Sequence, residues 1–156
     1  MNKFKSKQIA LLKQTSKLLL TSGIALQSAV PAYALPADDS NMAVDAGAAT
    51  YNYNGGTQQG TLTFGQNNSM VTFAAIEPVA IDAGETLNVV PGATGDSSWV
   101  GVLRDNNSSG VASVLNGTLA QSMQLFFLNA NGIVTGDNFS VDFSGVTNAA
   151  GGLVLS

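Results

Sequence analysis

From residue 48 onward the chain breaks into short runs that alternate in polarity and stop at Gly/Asn clusters, and this pattern restricts the fold most strongly. Thr50-Tyr51-Asn52-Tyr53 ends at Asn54-Gly55-Gly56, and Thr61-Leu62-Thr63-Phe64 ends at Gly65-Gln66-Asn67-Asn68. Residues 70–74 alternate in the same way; 79–81 and 86–90 flank Asp82-Ala83-Gly84, and Pro91-Gly92 breaks the run. Runs at 99–103, 113–119, 123–128 and 139–143 continue the series. A period of two turns one side of each run toward a core. The gaps leave little room for crossover helices, which removes a doubly wound α/β fold and leaves a sandwich, a barrel or a β-solenoid. Inward candidates are Leu115, Leu119, Leu125, Phe127, Ile133, Phe139, Val141 and Phe143. Composition agrees, because Gly and Asn supply tight turns while Val, Thr and aromatics favour strands.

Charge divides the chain in two. Five of the six basic residues, Lys3, Lys5, Lys7, Lys13 and Lys17, lie in the first seventeen positions. Beyond residue 34 one cation, Arg104, faces ten carboxylates, a formal charge of −9. Such a surface cannot release the counterions that drive phosphate-backbone binding, so no nucleic acid partner is expected. Anionic membrane surfaces are disfavoured for the same reason. With no Cys and no His the chain lacks thiol nucleophiles, disulfides, the usual zinc ligands and the commonest general base. No cofactor and no metal site is expected.

Residues 1–34 have the layout of a signal peptide with a long front end. The lysines form a positive n-region, and residues 18–26 are apolar but shorter than the ~20 residues needed to span a bilayer. Pro31 precedes Ala32-Tyr33-Ala34, an A-x-A cleavage site, so the mature chain is expected to begin at Leu35-Pro36. An amphipathic N-terminal helix is the alternative. No later segment is apolar enough to cross a membrane as a helix, so no membrane span is expected after signal cleavage. The expected domains are a signal peptide over 1–34 and one β domain over 35–156.

The second half carries a resemblance. Val114-Leu115-Asn116-Gly117-Thr118-Leu119, then residues 125–136 with Asn129-Ala130-Asn131-Gly132-Ile133 and Gly136, and finally Gly151-Gly152-Leu153-Val154-Leu155-Ser156, follow a recurrent order. It is that of G-x-L, N-P-N-G-I, F-G and a closing G-G-L-V-A-S-like stretch. The chain thereby resembles the filamentous haemagglutinin-type N-terminal secretion domain of two-partner secretion exoproteins. Ala34-Leu35-Pro36 and residues 81–89 also look like family positions. The match spans most of 35–156, with its specific part at 114–156. Departures are Ala130 for the motif proline, Thr135 for the phenylalanine of F-G, Phe73-Ala74-Ala75 where a tryptophan is usual, and Ala120-Gln121-Ser122 after G-x-L.

The resemblance implies a right-handed parallel β-helix, a solenoid with an N-terminal β cap, preceded by a helical signal peptide. It implies a non-enzymatic domain that directs a surface exoprotein or adhesin through an outer-membrane transporter barrel and nucleates its β-helix. Its location would be secreted or on the cell surface of a Gram-negative bacterium, with host or cell-surface ligands as further partners. A stand-alone extracellular adhesin or matrix subunit assembling through open β edges is the alternative. Asn129, Asn131, Gly132 and Ile133 are the candidate partner-binding or motif-turn residues; Gly117, Leu119, Gly136, Gly152 and Leu153 are structural motif positions. Turn chemistry accounts for Asn129 to Gly132 without a partner, since Asn caps nearby backbone and Gly permits positive φ.

Three further patterns have plainer readings. Residues 105–110 match the first half of a calcium loop, but position 12 would be Asn116, which lacks the bidentate carboxylate. A polar hairpin loop is expected there. Asp38, Asp39, Asp82, Glu85, Asp137 and Asp142 offer carboxylates for glycoside cleavage, yet with a single cation they are expected as solvated turn groups. Tyr51, Tyr53 and Trp99 are expected in the core or in cross-strand pairs rather than on a sugar-stacking surface.

Overall fold

The alternating runs become strands. The computed structural model describes residues 34–146 and 152–156, so the expected signal peptide lies, apart from Ala34, outside the described residues. Twelve strands and no helix occur among them: β1 Met42–Ala46, β2 Ala49–Asn54, β3 Gln59–Phe64, β4 Ser69–Phe73, β5 Thr86–Pro91, β6 Val100–Asp105, β7 Ser113–Leu115, β8 Thr118–Gln121, β9 Gln124–Asn129, β10 Ile133–Thr135, β11 Ser140–Asp142 and β12 Leu153–Leu155. The described part of the protein is all-β, and its two larger sheets are mixed.

Two five-stranded sheets and a strand pair hold these elements. One sheet runs β1-β4-β6-β9-β12, the other β2-β3-β5-β8-β11, and β7 pairs with β10. Every pairing is parallel except β1 with β4 and β2 with β3. The two antiparallel strands thus sit at the same end of their sheets. From β3 onward the chain alternates between the sheets, and after β6 and β9 it also visits the β7/β10 pair.

Matched registers line up like residues. Val71, Leu103, Phe127 and Leu155 form one column across four strands. Leu87, Leu119 and Val141 form another, and a single bridge sets Ile81 beside Leu115. The core contains Leu62, Phe64, Val71, Leu103, Leu115, Leu119, Leu125 and Phe127, all essentially inaccessible. Burying a side chain of this size contributes roughly 1.5–3 kcal/mol, so these columns supply most of the drive to fold. Gly101 stands in line with Ser69 and Leu125, and a Cβ there would collide with the Phe64 ring from the other sheet. A glycine in β6 is therefore the space into which Phe64 packs.

Four expectations need correction. Residues 79–81 form no strand, only the bridge at Ile81, because the chain there runs past a short β7. The run 113–119 is two strands broken at Asn116-Gly117, where a Cβ on Gly117 would strike the backbone oxygens of Asp82 and Glu85. Phe143 is 44% exposed rather than inward, since it follows edge strand β11. Ile133, Phe139 and Val141 are half-buried, whereas Leu115, Leu119, Leu125 and Phe127 lie in the core as expected.

Candidate functional site

The N-x-N-G motif lies at a corner that begins with Asp105. This residue ends β6, Asn129 ends β9, and the parallel register sets them opposite each other. Asp105 is 2% and Asn129 4% exposed. A buried polar group is costly unless hydrogen-bonded, and here the partners are complete on both oxygens. Asp105 Oδ2 accepts from Val79 N at 2.8 Å, Ser113 Oγ at 2.7 Å and Asn129 Nδ2 at 3.1 Å. Its Oδ1 accepts from Asn107 N at 3.1 Å and Asn107 Nδ2 at 3.2 Å. Asn129 Nδ2 donates further to Ser113 Oγ at 2.8 Å and Val111 O at 3.3 Å. One carboxylate thus ties the end of β6 to the approach to Ile81, to β7 and to the end of β9.

The turn itself is built on Asn129. Its Oδ1 accepts from Asn131 N at 2.8 Å, and its carbonyl accepts from Gly132 N at 2.9 Å. Gly132 has φ +92°, and a Cβ placed on it would meet nothing within 4 Å, so backbone conformation alone demands glycine there. Gly132 O then accepts from Ser113 N at 3.1 Å, and β10 begins. The motif therefore divides: Asn129 is an internal pin, Ile133 is half-buried against the core, and Ala130, Asn131 and Gly132 form an exposed tip.

The remaining motif positions are spread along the stack. Gly117 permits the close passage described above, and Leu119 is core. Gly136 donates its N–H to Leu115 O at 2.8 Å, and a Cβ would meet the Asn116 side chain. Gly152 O accepts from Leu125 N at 2.9 Å and Gln121 Nε2 at 2.8 Å. Leu153 pairs in register with Leu125.

Residues 105–110 depart from a polar loop outside the body at two positions, while Asn106, Ser108, Ser109 and Gly110 are exposed. Asp105 and Asn107 are buried, and Asn107 Oδ1 accepts from Ser109 Oγ at 2.7 Å and Val111 N at 3.2 Å. The side chains that would form the first half of a calcium loop instead bond to one another and to the backbone. Among the described residues no group of three or more His, Cys, Asp or Glu could hold a metal ion.

A second buried carboxylate also departs from expectation. Glu85 is 4% exposed rather than solvated. Its Oε2 accepts from Leu35 N and Asp82 N, both at 2.9 Å, and its Oε1 from Tyr53 Oη at 3.1 Å. Tyr51 Oη donates to Pro36 O at 2.8 Å, and its ring meets Phe73 edge-on at 5.4 Å. Burial, then the charge of Glu85 and then Tyr53, push the Tyr51 phenol well above its ordinary range. Tyr53 is raised too, by desolvation first and then by its bond to Glu85 and that charge. Tyr51 is thus core, as expected, and Tyr53 and Trp99 pack against the core half-buried.

Of the other carboxylates expected in turns, Asp142 instead ends β11. Asp38, Asp39, Asp137 and Asp142 are exposed, and Asp82 is half-buried. Hydrogen bonds from Ser40 hold Asp38 below the usual carboxylate range, and those from Ser144 do the same for Asp142. Asp38 and Glu77 line one cleft, both exposed. A glycosidic acid must keep its proton near neutral pH, and a carboxyl lowered by its neighbour is the reverse of that. No protein-family model, no curated protein and no solved structure matches this chain.

Proposed function

We propose that residues 35–156 form a capped parallel β-helix that serves as a non-catalytic secretion domain of the filamentous haemagglutinin type. The observation that carries this reading is the order of pairing. β3-β5-β8-β11 and β4-β6-β9-β12 are parallel ladders visited in turn, β7-β10 is a third, and antiparallel β1 and β2 close one end. In a solenoid each coil offers its backbone groups to the next, so a closed first coil is a template on which later coils add in one direction. Beyond it, the buried Asp105–Asn129 corner joins β6 to β9 at their ends. The exposed tip at Ala130, Asn131 and Gly132 is the part of the motif open to an outer-membrane barrel.

The chain, with its leader, should be produced in a Gram-negative host with and without a two-partner-type outer-membrane barrel encoded beside its gene. Release into the medium should require the barrel. Asn131→Ala should lower that release while leaving the thermal midpoint of the purified protein unchanged. Equal release with and without the barrel would remove the secretion reading.

A second reading is a stand-alone adhesin or matrix subunit. It is favoured by β10, β11 and β12, each of which has a strand neighbour on one side only among the described residues. Free strand edges invite pairing with another chain. Sedimentation of the exported protein over a wide concentration range separates the two readings: growing polymers support stacking, and a discrete monomer opposes it.

A further inference from the structure

We propose that export processing after Ala34 creates an α-ammonium at Leu35 and that Glu85 captures it as a buried ion pair, locking the cap of the sheets onto the mature N-terminus. The inference rests on the reading of residues 1–34 as a cleaved leader.

The geometry is specific. Leu35 is 4% exposed and belongs to the core cluster, whereas Ala34, one residue earlier, is exposed. The A-x-A site therefore ends where burial begins. The Leu35 nitrogen lies 2.9 Å from Glu85 Oε2. In the intact chain that nitrogen is an amide with a single hydrogen. Hydrolysis of the Ala34–Leu35 bond consumes one water, leaves a carboxylate on Ala34 and leaves an amine on Leu35 that takes up a proton. The new hydrogens replace the bond to Ala34, itself an exposed residue, so the ammonium gains a charged partner without full desolvation.

Glu85 is a carboxylate in want of such a partner. It is buried, and its described donors, Leu35 N, Asp82 N and Tyr53 Oη, are all neutral groups. Arg104, the one Lys or Arg among the described residues, is exposed on β6 with its guanidinium against Met70 Sδ. The titratable groups around the Leu35 nitrogen are Glu85, Asp82 across the turn, Tyr51 and Tyr53 of β2, and Asp38 and Glu77 along the cleft that Pro36 and Ala37 line. Every one is an acid, so the local field favours a cation at this position.

The mature chain offers a direct readout. All lysines of this sequence lie at or before Lys17, so after cleavage the Leu35 amine is the only primary amine in residues 35–156. Only the unprotonated amine reacts with an acylating reagent. An ammonium held by Glu85 has a folded pKa above the ~7.7–8.0 of a free terminus, and a folded pKa higher by about one slows acylation about tenfold at pH 7. The stabilisation is fully present below the unfolded value and is lost as pH rises through the folded one.

The full chain should be exported with its own leader and the mature protein purified and sequenced from its N-terminus. Its acylation by acetic anhydride should then be followed against pH, folded and in urea. The proposal expects Leu35 first, about tenfold protection at pH 7 in the folded state, and near-complete loss of that protection in Glu85→Gln. The pH profiles of the wild-type protein, folded and unfolded, decide the matter even where the variant does not fold. Leu35 first with coincident profiles overturns the ion pair while the processing reading stands. A different first residue overturns both.

Discussion

Asp105 and Asn129 face each other at the ends of two neighbouring parallel strands, joined by a 3.1 Å hydrogen bond from Asn129 Nδ2 to Asp105 Oδ2. The pair is nearly inaccessible, and both members also hold Ser113 at the start of β7. The pair makes a polar corner that ties the end of β6 to the approach to Ile81, to β7 and to the end of β9.

Removing the acceptor strands several donors at once. Asp105→Ala leaves Val79 N, Ser113 Oγ and Asn107 N without their acceptor, while Asn107 Nδ2 keeps Val111 O at 2.9 Å, and should lower stability by about 3–5 kcal/mol. Asn129→Ala keeps most of that network and should cost about 2 kcal/mol. Because the two residues share a bond, the double variant should lose less than the sum of the single losses. Urea midpoints of the four proteins check this; strict additivity would show that the corner is not a unit.

Two motif glycines are required for different reasons, and alanine separates them. At Gly117 a Cβ would press on the backbone oxygens of Asp82 and Glu85, which cannot yield as a flexible side chain would. Gly117→Ala should cost about 3 kcal/mol or more, the upper range for overpacking. At Gly132 there is space for a Cβ but φ is +92°, so Gly132→Ala should cost only about 1–2 kcal/mol of backbone strain. Thermal unfolding of both variants should preserve that order.

The strand series was legible because alternation is local. Runs such as Thr61 to Phe64 and Met123 to Leu128 carry their inward face in the sequence, and they lie within or overlap β3 and β9. Strand β1 was not legible: Met42 to Ala46 includes Asp45, is mostly exposed, and is a strand because β4 offers it an antiparallel edge. The buried state of Asp105 and Glu85 was equally hidden. Their donors are drawn from Val79, Ser113 and Asn129 in one case and from Leu35 and Tyr53 in the other, and only folding brings these together. The N-x-N-G turn was readable as a turn, since Gly132 needs positive φ, but not that its first Asn points inward.

Alkaline titration should report the Tyr51 environment. In the folded protein its phenol is held above the ordinary range, chiefly by burial, so the neutral form is favoured by folding. Stability from this group is therefore fully present below the unfolded value of ~10 and declines as pH rises through the folded one. Phenolate absorbance of the folded protein should lag behind that of the urea-unfolded chain, with Tyr51 ionising on unfolding. Tyr51→Phe should remove the lag assigned to this residue and loosen the Pro36 segment, whose carbonyl loses its 2.8 Å donor.

The motif alanine invites the opposite kind of change, a gain. Residues 129–132 form a turn closed by the Gly132 N–H on Asn129 O, with Ala130 at its second position and Asn131 at its third. Asn131 is not among the residues with positive φ, which excludes the type II form and fits type I. Type I turns favour Pro at the second position, Asn at the first and Gly at the fourth, and Asn129 and Gly132 already occupy the outer two. Proline also constrains the residue before it to extended backbone, and Asn129 is the last residue of β9. Ala130 is exposed, so the ring meets solvent rather than core. Ala130→Pro should therefore stabilise the protein by about 0.4–1 kcal/mol, acting through the unfolded chain. A raised urea midpoint with an unchanged slope is the expected result, whereas a loss of stability would mean that the Ala130 N–H or its φ is needed as it stands.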